Sequence, residues 1–290
     1  MAARRQVPYG GRAPPWRCGT ALHNPSAPFD ELTQITPVDS HLYAAQVPDH
    51  WQQGRGAFGG LVVAYLVRAL EASNPAPGQR LRSITAELCG PTQPGPAELR
   101  TEVLRQGSGT AVLAVRLLQG GEVQAHATAV FGRDRTTDRD GCDLRPPVQA
   151  AWQDLPLSPV GPPHGPVFAQ FFAFRTLDAL PFVGAPARAT LGWIAPRHPG
   201  PVVDCAYVAA CADAWWPVLF TGAGSARPMA TIAFTLQFLG DLSRLSSAIP
   251  LQFVAQSIAV AQGHAVEFRE LWSEDGQLVA LNQQTIAVIR

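Results

Sequence analysis

Two segments of the chain are apolar at nearly every position over the length of a helix. The first is "GGLVVAYLVRALEAS", Gly59 to Ser73, where Arg68 and Glu71 mark a single wet edge. The second runs from about Asp204 to Trp216, with Asp204 placed as an N-cap. A helix that is apolar almost all round must be covered by other elements. Alternating runs follow each helix. "TAVLAVRLL" and "HAVEFRELW" suit half-buried antiparallel strands. The turns "QGGE" and "SEDGQ" fit hairpins.

The order of these elements repeats. Residues 98–132 and 250–290 each hold a strand-like run, a glycine turn (Gly109, Gly263) and a strand carrying Ala-Val and then an Arg (Arg116, Arg269). A tight turn and a last strand complete each copy. A long buried helix followed by antiparallel strands, twice over, is a tandem duplication of an α+β unit. Residues 134–165 are charged, then rich in Pro and Gly, without sustained periodicity. They read as a linker between an N-terminal domain, 28–133, and a C-terminal domain, 166–290. Residues 1–27 read as a disordered leader.

Composition narrows the function classes. The chain has 290 residues, 47% hydrophobic, with formal net charge zero, which argues against a nucleic-acid partner. No apolar run reaches membrane-spanning length, so no membrane span is expected. All 22 basic residues are Arg. The absence of Lys excludes a Schiff-base lysine and the lysine of a P-loop. Cys18, Cys89, Cys142, Cys205 and Cys211 are widely spaced, which suits reduced thiols in a cytoplasmic protein without a zinc site. The seven histidines form no metal-ligand spacing. No G-x-S-x-G elbow is present, and "GSGT" at 107–110 sits at a strand turn, so a serine hydrolase is excluded.

Asp213 is the anomaly in this pattern. It lies inside "AACADAWWPVLF", and its neighbours at helical spacing include only one side-chain donor, the Trp216 indole. A buried carboxylate is costly unless hydrogen-bonded, so partners must come from other elements. Such a carboxylate is either a general base and water anchor or a structural group held by backbone. Pro217 has no N–H for the Asp213 carbonyl, which ends or kinks the helix there. "FGGL" enters the first helix, and Gly59 and Gly60 read either as an oxyanion-binding helix start or as a plain turn.

The chain resembles the double hotdog fold, and more narrowly the acyl-CoA thioesterase II family, over most of residues 28–290. The matching stretches are "GRGAFGGLVVAYLVRALEA" and the run from Arg80 to Phe131 in the first half, then "ACADAWWPV", "MATIAFTLQFLGDL" and "DGQLVALNQQTIAVIR" in the second. The resemblance implies an α+β fold of two tandem curled antiparallel sheets, each wrapping a central helix. It implies hydrolysis of acyl-CoA to acid and CoA without a covalent intermediate or cofactor. One water is positioned by an Asp, a Thr and a Gln, which fall on Asp213, Thr231 and Gln284. Read as an oxyanion-binding helix start, Gly59 and Gly60 would take a substrate-binding role beside them. A homo-oligomer is also implied.

The sequence departs from the family pattern after Thr231, where Ala233 and Phe234 stand in place of an Asp-His pair. Thr235, two pleats on, is expected on the same face as Thr231. Gln284 and Gln283 must face opposite ways, and the position matching Gln284 in the first half is Ala129. Arg55, Arg82, Arg116 and Arg269 are exposed candidates for CoA phosphates. A non-catalytic acyl-CoA-binding protein is one competing function. A hotdog hydratase or dehydratase is another, although "DAWWPVLF" lacks the Asn-Pro and His that such chemistry uses.

Overall fold

The expected helices form. The computed structural model describes residues 26–138, 141–147, 150–176 and 178–289. All but the last two residues of the expected leader, with Cys18 and His23, lie outside these. In chain order the elements are α1 (Phe29–Leu32), β1 (Thr36–Asp39), β2 (Leu42–Val47), β3 (Gln52–Gln53), β4 (Gly56–Ala57), α2 (Gly59–Ala72), β5 (Arg80–Leu88), β6 (Gly95–Gln106), β7 (Thr110–Gln119) and β8 (Glu122–Gly132). The second half continues with β9 (Phe172–Arg175), β10 (Ala189–Pro196), α3 (Cys205–Ala214), β11 (Met229–Phe238), β12 (Leu251–Ala261), β13 (His264–Trp272) and β14 (Leu278–Val288).

α2 is buried along Gly60–Val67 and again at Ala69 and Leu70, leaving only the edge that Arg68 and Glu71 occupy. α3 starts where the Asp204 carboxylate accepts the Tyr207 N–H, satisfying one orphan donor of the first turn. It ends at Ala214, two residues earlier than expected. Trp215 is already extended, because Pro217 cannot donate back into the helix.

The sheet differs from expectation. The halves do not form two sheets but one twelve-stranded sheet, ordered β1-β2-β6-β7-β8-β5-β11-β14-β13-β12-β10-β9. β5 of the first half pairs antiparallel with β11 of the second, with Thr85 opposite Thr235. Two separate sheets would each leave an edge of unpaired N–H and C=O groups here, and joining them satisfies both. α2 packs on β5–β8 and α3 on β10 and β13, and the two helices pack on each other. They run antiparallel. Arg68 near the end of α2 meets Asp204 at the start of α3, at 2.5 Å. Gly59 at the start of α2 meets Asp213 near the end of α3.

Candidate active site

Asp213 stands one residue before the end of α3 and faces a pocket that opens to solvent. Phe168, Trp215, Trp216, Phe220 and Met229 form its largely apolar wall. Phe168, Trp215 and Trp216 are also buried, so the aromatic residues are core and pocket wall at once. Asp213 and Thr231 line its polar end, and the fully buried Gln284 bonds to both from a third element. Gln284 Nε2 on β14 donates to Asp213 Oδ1 at 3.0 Å. The Thr231 hydroxyl on β11 lies 3.1 Å from Gln284 Oε1 and 3.4 Å from Asp213 Oδ1. The single hydroxyl proton therefore has two acceptors at long range, a loose arrangement that a water can enter.

Two further residues set this geometry, and the sequence reading did not single them out for it. Asn282 lies two residues before Gln284 on β14 and shares its face. Its Oδ1 accepts from Gln284 Nε2 at 3.0 Å, while its own Nδ2 donates to the Thr235 carbonyl at 2.8 Å. Arg269 on β13 donates to the Ala212 carbonyl at 2.9 Å, placing a cation on the last turn of α3. Arg269 is itself held by Glu267 at 2.9 Å, and Glu267 Oε1 accepts the Val218 N–H at 2.7 Å. The sequence signals were N-x-Q and E-x-R, each pair on one face of a strand.

Four readings of the sequence need correction. Arg269 is 1% exposed and ion-paired, so it is not an exposed candidate for a phosphate. It lies opposite Asn282, as Val115, not Arg116, lies opposite Ala127 in the first half. Matching Arg116 to Arg269 was thus one residue out of register, and one residue flips the face. Arg82 is partly buried and bonded to the Gly132 carbonyl and Asp134, whereas Arg55 and Arg116 are exposed. Finally, Thr231 and Thr235 do not share a face. A β-bulge at Ile232 breaks the alternation, turning Thr231 inward with buried Phe234 and Leu236.

Gln284 is fully buried and Gln283 exposed. Gly59 and Gly60 stand behind the carboxylate, at the first turn of α2. The Gly60 N–H bonds to Asp213. A Cβ on Gly59 would lie 2.7 Å from Asp213 Oδ2, so the approach requires glycine. Burial pushes the Asp213 carboxyl above the usual range. Arg269, Gln284, the Gly60 N–H and Thr231 pull it back. Among the described residues no cluster of three or more His, Cys, Asp or Glu side chains has a metal-binding arrangement, and no helix is long and apolar enough to cross a membrane.

Comparison with known proteins identifies the two halves. The model of the acyl-CoA thioesterase N-terminal domain matches residues 47–132, and that of the C-terminal domain matches residues 141–288. An uncharacterized protein of Mycobacterium tuberculosis is 25% identical over 227 residues, covering 67% of this chain and 77% of that one. A hot dog fold protein of unknown function from Alicyclobacillus acidocaldarius is similar at TM-score 0.81 and 26% identity, over 90% of this chain and 98% of that one. The acyl-CoA thioesterase II of Mycobacterium marinum has the same fold, at TM-score 0.72 and 17% identity, over 90% and 98%. The chain belongs to the acyl-CoA thioesterase family, its halves answering in order to the N-terminal and C-terminal domains of that family.

Proposed function

We propose that the protein hydrolyses acyl-CoA thioesters to free acid and CoA at the Asp213 pocket. The observation that carries this is the convergence of Asp213, Thr231 and Gln284 from α3, β11 and β14 at one end of an apolar pocket. The acyl chain lies along the aromatic wall. One water sits between the Asp213 carboxylate, the Thr231 hydroxyl and the Gln284 amide. Asp213 takes a proton as the water oxygen attacks the thioester carbonyl, then returns it to the CoA sulfur as the C–S bond breaks. The Gly60 N–H is committed to Asp213, and we assign the Gly59 N–H, which has no intrahelical partner, to the carbonyl oxygen. The functional units are 28–133 and 166–290, joined by 134–165. Assembly into a homo-oligomer belongs to the same reading, and light scattering tests it.

Free-thiol release from acyl-CoAs of short, medium and long chain, comparing wild type with Asp213→Asn, tests the mechanism. The variant is expected to lose about a hundredfold or more in kcat. A loss below about tenfold would remove Asp213 as the base. Binding of acyl-CoA with turnover in neither protein would leave an acyl-binding function instead.

A further inference from the structure

The duplication gives the Asp213 pocket a counterpart, and the strand registers locate it. Thr85 faces Thr235 where the two halves join, so β5 corresponds to β11 about that pair. Both strands bulge at the matching place, between Leu81 and Ser83 and between Thr231 and Ala233. Leu81 therefore answers to Thr231. It lies opposite Phe131, as Thr231 lies opposite Ile286. Ala129, opposite Ile84, answers to Gln284, opposite Phe234. One strand further, Leu113 and Val115 answer to Glu267 and Arg269. The polar groups around Asp213 are replaced there by apolar ones.

The acid is the exception. α2 ends in "AYLVRALEA", Ala64–Ala72, and α3 is "AYVAACADA" from Ala206 to Ala214. Glu71 falls on Asp213, each one residue before the last of its helix. Glu71, Leu81 and Phe131 line a second open pocket, as Asp213, Thr231 and Ile286 line the first. The side-chain hydrogen bond of Glu71 is to the Cys205 thiol, a weak donor. As with Asp213, burial pushes its carboxyl above the usual range. The walls beside it, Leu81, Phe131 and Phe238, are apolar. Arg80 and Arg82 stand at the rim with side chains 51% and 34% exposed. They are held by Asp134 and, for Arg80, also by Asp241. Exposed ion pairs of this kind are weak and exchange partners readily.

We propose that this second pocket binds an acyl-CoA without hydrolysing it, with the chain on Leu81 and Phe131 and the CoA phosphates at Arg80 and Arg82. Glu71 keeps the place of the base, but Leu81 and Ala129 offer neither the hydroxyl nor the amide that would fix a water. The chain would then carry one catalytic and one non-catalytic acyl-CoA site. The proposal rests on the acyl-CoA reading of the first pocket.

Calorimetric titration with a ketone thioether analogue of dodecanoyl-CoA, which keeps a carbonyl but has no thioester bond, counts the sites. Two per chain are expected in the wild type. Val202 is 57% exposed and lines the second pocket, so Val202→Trp fills it without disturbing the core. That variant should bind one equivalent and retain acyl-CoA turnover within about twofold of wild type, and Arg80→Ala should weaken one site about tenfold. One site per chain in an active wild type overturns the second pocket and leaves the first untouched, as do two sites that Val202→Trp does not alter. Dodecanoate filling the second site as tightly as the CoA analogue would overturn the role of the arginines. Absence of both binding and turnover would reject the acyl-CoA reading itself.

Discussion

Arg269→Met tests whether the Glu267–Arg269 pair clamps the catalytic end of α3. Glu267 and Arg269 are 0% and 1% exposed, and the guanidinium reaches both the Glu267 carboxylate and the Ala212 carbonyl. Removing the cation leaves the Glu267 carboxylate buried with the Val218 N–H donating to it but no partner cation, and leaves the Ala212 carbonyl short of its cationic cap. Breaking a buried pair from one side costs about 3–5 kcal/mol. For a chain of this size that lowers Tm by roughly 10 °C. Glu267→Gln should cost a comparable amount, because it strands the Arg269 cation and turns an amide NH2 toward the guanidinium, while the amide oxygen still accepts from Val218. Adding Glu267→Gln to Arg269→Met removes the stranded charge and should recover a good part of the loss. Thermal unfolding followed by circular dichroism, with urea titration as a check, reads all three. A loss in Arg269→Met below about 1 kcal/mol, or a double variant no better than the single, would refute the clamp.

The same contacts predict the other responses. The Asp213 carboxyl is raised by burial, so as a base it is protonated and idle at low pH. kcat/KM should climb with pH through an apparent pKa above that of an ordinary aspartate, then level off. Arg269 opposes that rise, so Arg269→Met moves the acid limb of the profile further up, whereas a change confined to folding would leave its midpoint in place. Gln284→Ala removes the 3.0 Å donor to Asp213 Oδ1, and should lower kcat about tenfold to a hundredfold and shift the limb in the same direction. In Gly59→Ala the new methyl would sit 2.7 Å from Asp213 Oδ2, displacing the carboxylate and reducing kcat more than it reduces Tm. Gly60→Ala places its methyl 3.0 Å from the Ala210 backbone and against the Phe58 ring, so overpacking should cost about 1–3 kcal/mol instead.

What could be read from the sequence was whatever depends on local periodicity. The helices around Tyr65 and Tyr207 declared themselves by apolar residues on every side, and the alternation of β7 and β13 marked strands. Alternation required Gln283 and Gln284 to face opposite ways, and the family resemblance chose Gln284; β14 pairs without a shift from Ala280 past that residue, so Gln284 turns inward. Alternation misplaced Thr235 because it has no way to register an inserted residue. The bulge at Ile232 depends on how β11 meets β14, and that pairing is absent from the local sequence. Arg269 was misread for a related reason. In a hairpin comparison it matches Arg116 by eye, yet only the ladder shows that Val115 is its true counterpart, and so which face it takes. The join of β5 to β11 is likewise a contact between elements about 150 residues apart, Thr85 against Thr235, and neither strand carries a mark that it will not be an edge. The chemistry was visible as an isolated carboxylate in an apolar helix. Its donors had to be sought on other elements, because the neighbouring positions of the helix hold Ala, and the Trp216 indole is the one side-chain donor at helical spacing. That same reasoning, applied to α2, isolates Glu71: an acid at the edge of an apolar helix that aligns with Asp213 in sequence, and whose surroundings can be matched to those of Asp213 only through the strand registers of the one sheet.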